Sequence, residues 1–315
     1  MTTAAFARPL LLSTAPTSAI EFVTALLGSR IARETPAAAG FTQSVASIVS
    51  TTSGRDAFVK AGIVGEAGGE AVRIGAELAA TIGDLGPPLS SWTESDGWVV
   101  AVYERIHGVE VAEWTAADVR QLAELSHAMR ERLDPSPVRD TEPYAQAFAP
   151  LLGTWQALQQ PDTASSNSVA HVRRLELPYG HRVEKLAELE TDWFESLASG
   201  TSLQHGDIRR DNVMRELSGR LRLVDWTHRW TAPGWADWVR LAPDVAADGF
   251  DPEAVLAASA WADADPHGVD VMLAGLAGRC WRDGHLPALP GLPQLRPMQL
   301  LQGEMSLRWL ARRLQ

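Results

Sequence analysis

Gln204-His205-Gly206-Asp207-Ile208-Arg209-Arg210-Asp211-Asn212 and, downstream of it, Val224-Asp225-Trp226 carry more chemistry than any other part of this chain. Two acids and an amide stand there in order: Asp207, Asn212 five positions on, and Asp225 thirteen after that. Phosphoryl transfer from a nucleotide uses such a set. Asp207 can take the proton of an attacking hydroxyl. Asn212 and Asp225 offer hard oxygens to Mg²⁺, which takes few protein ligands and shares the rest with phosphates and water. Val213-Met214-Arg215 and Leu221-Arg222-Leu223-Val224 flank the turn signal Ser218-Gly219, so an antiparallel hairpin is expected between them. Its ends would set Asn212 beside Asp225, with Asp207 just upstream.

The 315 residues fit one large domain or two modest ones, and a 45% hydrophobic, 21% charged balance supplies an ordinary globular core. The single cysteine, Cys280, excludes a disulfide framework within the chain and suits a reducing compartment. The run Pro9-Leu10-Leu11-Leu12 is too short for a signal-peptide core. No stretch nears the ~20 apolar residues that cross a bilayer. A soluble cytoplasmic protein with no membrane partner is expected. The net charge of −11 argues against nucleic acid, which wants a positive footprint. It would steer a cationic small molecule, and solubility accounts for it as readily. Trp226, Trp230, Trp235 and Trp238 crowd the residues after the second acid and are expected to pack the C-terminal half around it. A stacking platform for sugar faces is the alternative.

Upstream, Val45–Val49 and Ala57–Ala61 read as two strands around the turn Thr52-Ser53-Gly54-Arg55, with the small-residue segment Gly40-Phe41-Thr42-Gln43-Ser44 before them. Lys60 ends the second strand, where a cation has a partner or faces solvent. Residues 66–82 have helical periodicity through Val72, Leu78 and Ile82, and Glu70 and Glu77, seven apart, share a face. Residues 98–103 form a strong strand, followed by an extended connector at 104–108.

The order His-x-Asp, Asn, Asp is that of protein kinases. Here the first motif is His205-Gly206-Asp207 rather than His-Arg-Asp, and the second ends in Asp225-Trp226 rather than Asp-Phe-Gly. Those departures resemble the aminoglycoside phosphotransferase family of small-molecule kinases and its choline-kinase-like relatives. The resemblance implies a bilobal α+β, protein-kinase-like fold: a small N-terminal lobe of antiparallel sheet and one helix, and a larger, mainly helical C-terminal lobe. Residues 1–103 would be the nucleotide-binding lobe, 104–108 the hinge, and 109–315 the catalytic and substrate-binding lobe. It implies Mg²⁺ with ATP, or GTP, and a small-molecule acceptor. Asp207 would be the base and Asn212 and Asp225 the metal ligands. Gly40, Phe41 and Ser44 would cover the phosphates. Lys60 would grip them, held by Glu77 first or Glu70 second. The Glu104 carbonyl and the Ile106 amide would read the base. His205 would brace the loop around Asp225, and Asp237 would support the catalytic segment.

Past the connector, Thr115-Ala116-Ala117-Asp118 opens a helix with the stripe Leu122, Leu125, Met129 and Leu133. Residues 136–180 read as a variable insertion or loop. Val183 to Leu197 read as one amphipathic helix with Gly200 as its C-cap. The tail from Pro252 reads as several helices interrupted at 287–297. Other classes lack their marks. There is no Gly-x4-Gly-Lys-Ser/Thr loop. Gly62, Gly65, Gly68 and Gly69 have the wrong spacing for a dinucleotide fold. Gly200-Thr201-Ser202 has no closing glycine for a serine-hydrolase elbow. Cys280, Asp283 and His285 are too few for zinc. An ATP-binding pseudokinase keeps the fold without the reaction, and intact Lys60, Asp207, Asn212 and Asp225 stand against it. The acceptor, and whether the role is antibiotic resistance or metabolism, stay open.

Overall fold

The structure is a computed structural model that describes residues 10–37, 44–161 and 169–315. The chain divides into two compact units, Met1–Ala112 with Asp211–His228, and Glu113–Arg210 with Arg229–Gln315. Residues 211–228 thus group with the N-terminal residues. A strand explains this: Gly108–Glu110 pairs antiparallel with Val213–Glu216, and the Val111 N–H donates to the Val213 carbonyl at 3.0 Å.

The first unit runs α1 (Thr17–Leu27), β1 (Ile31–Pro36), β2 (Val45–Thr51), β3 (Asp56–Ile63), α2 (Ala67–Ile82), β4 (Leu89–Ser95), β5 (Trp98–Glu104) and β6 (Gly108–Glu110). Five strands form an antiparallel sheet in the order β1-β2-β3-β5-β4. Side chains alternate across it. Val100 and Val102 join Ala57, Val59 and Ala61 in a core that includes Val23 and Leu27 of α1. Val99, Ala101 and Tyr103 meet Val72 and Ala76 of α2 on the other face. β5 is thus covered on both faces, which is why it reads as an unbroken apolar run. The same parity puts Lys60 on the face of Phe58, which packs against the α2 core. The Gly62–Gly69 cluster serves this packing. A Cβ on Gly62 would lie 2.5 Å from the Gly69 nitrogen, so the absence of side chains lets α2 start against the end of β3. Val213–Glu216 and Leu221–Leu223 form the expected hairpin, and with β6 they make a three-stranded sheet.

In the second unit, α3 (Ala116–Leu133) starts with a capping box. The Asp118 N–H donates to Thr115 Oγ1 at 3.3 Å, and the Thr115 N–H donates to Asp118 Oδ2 at 2.8 Å. The segment 136–180, expected as a variable insertion or loop, carries α4 (Tyr144–Phe148) and α5 (Thr154–Gln159). Its aromatic residues Tyr144, Phe148 and Trp155 are fully buried and anchor it. The helix expected through Leu197 is two, α6 (Val183–Thr191) and α7 (Trp193–Ala198), broken at Asp192. The C-cap of α7 is Ser199 rather than Gly200. Gly200 is needed for a different reason: a Cβ there would overlap the Ala232–Pro233 backbone. Residues 142–143, 230–232 and 202–204 form a small sheet in that order. α8 (Ala236–Ala246), α9 (Pro252–Ala257), α10 (Pro266–Gly284) and α11 (Leu295–Arg313) complete the unit. α10 is buried along almost its whole length, and Trp155 donates to the Ala274 carbonyl at 2.8 Å. No helix among the described residues is long and apolar enough to cross a membrane.

Candidate active site

In the first unit, Lys60 Nζ donates to Asp225 Oδ1, joining residues 165 positions apart. Period-two alternation delivers the amine from β3. The hairpin delivers the carboxylate: Leu223 pairs with Val213, and the Val224 N–H donates to the Asn212 carbonyl at 2.9 Å. Asn212 and Asp225 therefore flank the ladder's open end. Asp225 has φ +67°, a left-handed conformation uncommon for a residue with a side chain. Such strain persists where the surroundings impose it. The next residue supplies that surrounding. Trp226 is buried, its indole N–H donates to the Leu223 carbonyl at 3.2 Å, and its own carbonyl is 2.8 Å from where a Cβ on Gly75 of α2 would stand. Trp226 thus packs within the first unit, whereas the expectation put it with the C-terminal half. Burial, with the Asp225 charge second, pushes the Tyr103 hydroxyl well above the usual phenol range.

The expected partners of Lys60 on the helix are Glu77 and Glu70. Lys60 pairs with Asp225, while the ion pairs shown by Glu70 and Glu77 run to Arg73, at 2.5 and 3.5 Å. Arg73 lies three residues after Glu70 and four before Glu77, the spacings at which helix neighbours meet. Local geometry thus gives both glutamates a closer cation. Glu104 ends β5, and its N–H donates to the Pro88 carbonyl at 2.9 Å. Ile106 is half-buried between β5 and β6, and Arg105 beside it pairs with Asp56 of β3. Ser44 is half-buried just before β2. Gly40 and Phe41 lie outside the described residues.

In the second unit, the loop 205–207 is held by α8. Asp237 Oδ2 accepts the His205 N–H at 2.6 Å, and Oδ1 accepts the Gly206 N–H at 3.0 Å. The Asp237 N–H in turn donates to Gln204 Oε1 at 3.1 Å. Burial pushes the Asp237 carboxyl above its ordinary value, against the two amides that favour its charge. Fully buried His205 accepts the Asp207 N–H on Nδ1 at 3.3 Å, a bond inside its own loop.

Two residues that the sequence reading did not assign surround Asp207. Arg209 donates to Asp207 Oδ1 at 2.8 Å, and Arg240 of α8 donates to the same oxygen. Burial alone would raise the Asp207 carboxyl; the Arg240 and Arg209 charges outweigh it and hold it below the usual carboxylate range. Asp207 is therefore a poor proton store and a well-fixed acceptor. Arg209, within the loop itself, is 9% exposed. The signal for Arg240 was its place three residues after Asp237, on the same helix face. Next in the loop, Arg210 is fastened to α8 as well. Its N–H and Nε donate to the Asp244 carboxylate at 2.6 and 2.5 Å, and it pairs with Asp248 at 3.2 Å. Asp244 and Asp248 are thus engaged by this arginine.

The donor set of Asn212 and Asp225, one amide and one carboxylate, fits Mg²⁺, which keeps phosphates and water for its other positions. Among the described residues no group of three or more His, Cys, Asp or Glu could hold a metal by itself. Cys280 contacts Gln302, and His285 bonds the Trp281 carbonyl.

No family sequence model and no curated protein matches the chain. Solved structures do. An aminoglycoside phosphotransferase from Alicyclobacillus acidocaldarius superposes with a TM-score of 0.61 at 13% identity, covering 98% of this chain and 96% of that one. A spectinomycin phosphotransferase in complex with ADP and spectinomycin gives 0.60 at 14%, covering 94% of each. A choline kinase from Streptococcus pneumoniae gives 0.54 at 12%, covering 93% and 97%. At these identities the likeness establishes the fold: this chain has the protein-kinase-like fold shared by these small-molecule phosphotransferases.

Proposed function

We propose that this protein is a kinase that transfers the γ-phosphoryl group of ATP, or GTP, to a hydroxyl of an aminoglycoside-like or other polyhydroxylated small molecule. The observation that carries the reading is the Lys60–Asp225 pair, an amine and a carboxylate brought from opposite ends of the first unit to the end of the hairpin that bears Asn212. Lys60 binds phosphate oxygens. Asn212 and Asp225 would hold Mg²⁺, which supplies charge neutralisation on those oxygens. Asp207, ionised and fixed through Oδ1, accepts a hydrogen bond from the acceptor hydroxyl, orients it and takes its proton as the P–O bond forms. Little covalent help is required in such a transfer; alignment and charge matter most. The net charge of −11 favours an amine-bearing acceptor by steering.

The test is ADP release and product mass with Mg-ATP across a panel of hydroxylated antibiotics, aminoalcohols and sugars. One acceptor should raise ADP release by orders of magnitude and gain one phosphate. Asp207→Asn should lower that turnover by roughly 10²–10⁴-fold with nucleotide affinity retained. Half-maximal turnover in that variant removes Asp207 from the reaction.

A further inference from the structure

We infer that Arg240 is a positioning residue for the reaction: from inside α8 it fixes the carboxylate of Asp207 at the angle the acceptor hydroxyl meets. The inference rests on the kinase reading of Asp207. α8 presents two opposite charges to one loop. Asp237 takes the backbone N–H groups of His205 and Gly206, and Arg240, three residues on, takes the side chain of Asp207. Backbone and carboxylate are thus held by one rigid element, and the loop has little freedom to turn the acid away. Arg240 Nη2 and Arg209 Nη1 both donate to Oδ1, so they set the rotation of the carboxyl group and with it the direction of Oδ2.

The surroundings favour a dedicated cation over an incidental one. Arg240 is 4% exposed, and a charge so deep is retained only where a partner of opposite charge meets it. The Arg240 Nε and the Tyr144 hydroxyl are both buried, and the tyrosine faces the guanidinium. Tyr144 stacks on Phe148 at 5.3 Å and meets the edge of Trp230 at 5.6 Å, so the tyrosine that faces Arg240 is itself held among rings. On its other side Gln302 of α11 reaches the Arg240 carbonyl at 3.5 Å, and Cys280 of α10 is close enough to feel its charge. The guanidinium is therefore buried, with Nη2 on Asp207.

The test uses slow ADP release with water as acceptor, which needs no identified substrate, in the full chain with Mg-ATP. Arg240→Gln should lower kcat at least tenfold with the nucleotide KM within twofold, and Arg240→Lys should recover part of the loss. In an Asp207→Asn background, Arg240→Gln should add less than twofold, because the group it positions is gone. Equal losses with and without Asp207, or a nucleotide KM that rises in step with the fall in kcat, would overturn the inference. If Arg240→Gln does not fold, Arg240→Lys takes its place and must show the same dependence on Asp207. Undiminished ADP release by Asp207→Asn alone sinks the kinase reading instead, so the two failures are distinct.

Discussion

Replacing Asp237 with alanine should strip both acceptors from a buried turn. The carboxylate, 3% exposed, takes the His205 and Gly206 N–H groups at 2.6 and 3.0 Å. A buried N–H left without a partner costs about 1–3 kcal/mol, so two cost about 2–6 kcal/mol. Relief of the buried carboxylate returns part of this, since burial already raises its pKa. A net loss of about 2–4 kcal/mol follows, and the melting point of the second unit should fall by about 5–15 °C. Asp237→Asn keeps one carbonyl oxygen and should lose about half as much. The pH dependence has a definite sign. A carboxyl whose folded pKa is raised contributes stability that is fully present below about pH 4 and is lost as pH rises through the folded value. The advantage of wild type over Asp237→Asn must therefore narrow as pH rises. Urea midpoints read by tryptophan fluorescence suit the measurement, because Trp235 and Trp238 flank the residue and are buried. An alanine variant within about 0.5 kcal/mol of wild type, or an advantage that widens with pH, refutes the reasoning.

Asp207 has the opposite linkage: its lowered pKa adds stability present above about pH 4 and lost as pH falls through the depressed value, so Asp207→Asn should show a shallower acid transition in circular dichroism. Asp225→Ala should remove the Mg²⁺ dependence of nucleotide binding, read by titrating ATP with and without the ion; an unchanged difference would take Asp225 out of the metal site. Gly75→Ala sets a Cβ 2.8 Å from the Trp226 carbonyl, so it should weaken nucleotide binding several-fold by shifting Asp225 while far-UV spectra stay native. Nucleotide affinity equal to wild type in that variant would show that the turn moves without consequence.

The sequence by itself determined the pieces whose signals are local. Alternation gave β2, β3 and β5, the 3.6-residue period gave α2 and α3, and Ser218-Gly219 gave the hairpin. It also put Asn212 and Asp225 at the two ends of that hairpin, because the register of a short antiparallel pair follows from its turn. Tertiary structure decided what depends on distant partners. Lys60 met Asp225 across 165 positions, and Arg73 stands at helical reach of both Glu70 and Glu77. Residues 136–180 carried helices that short, weakly periodic segments do not announce, held by the burial of Tyr144, Phe148 and Trp155. No local signal tied Arg209 or Arg240 to a partner, and packing placed both on one oxygen of Asp207. A charge's partner is fixed by where the fold buries it, and burial of a long polar side chain leaves no periodic trace in the sequence.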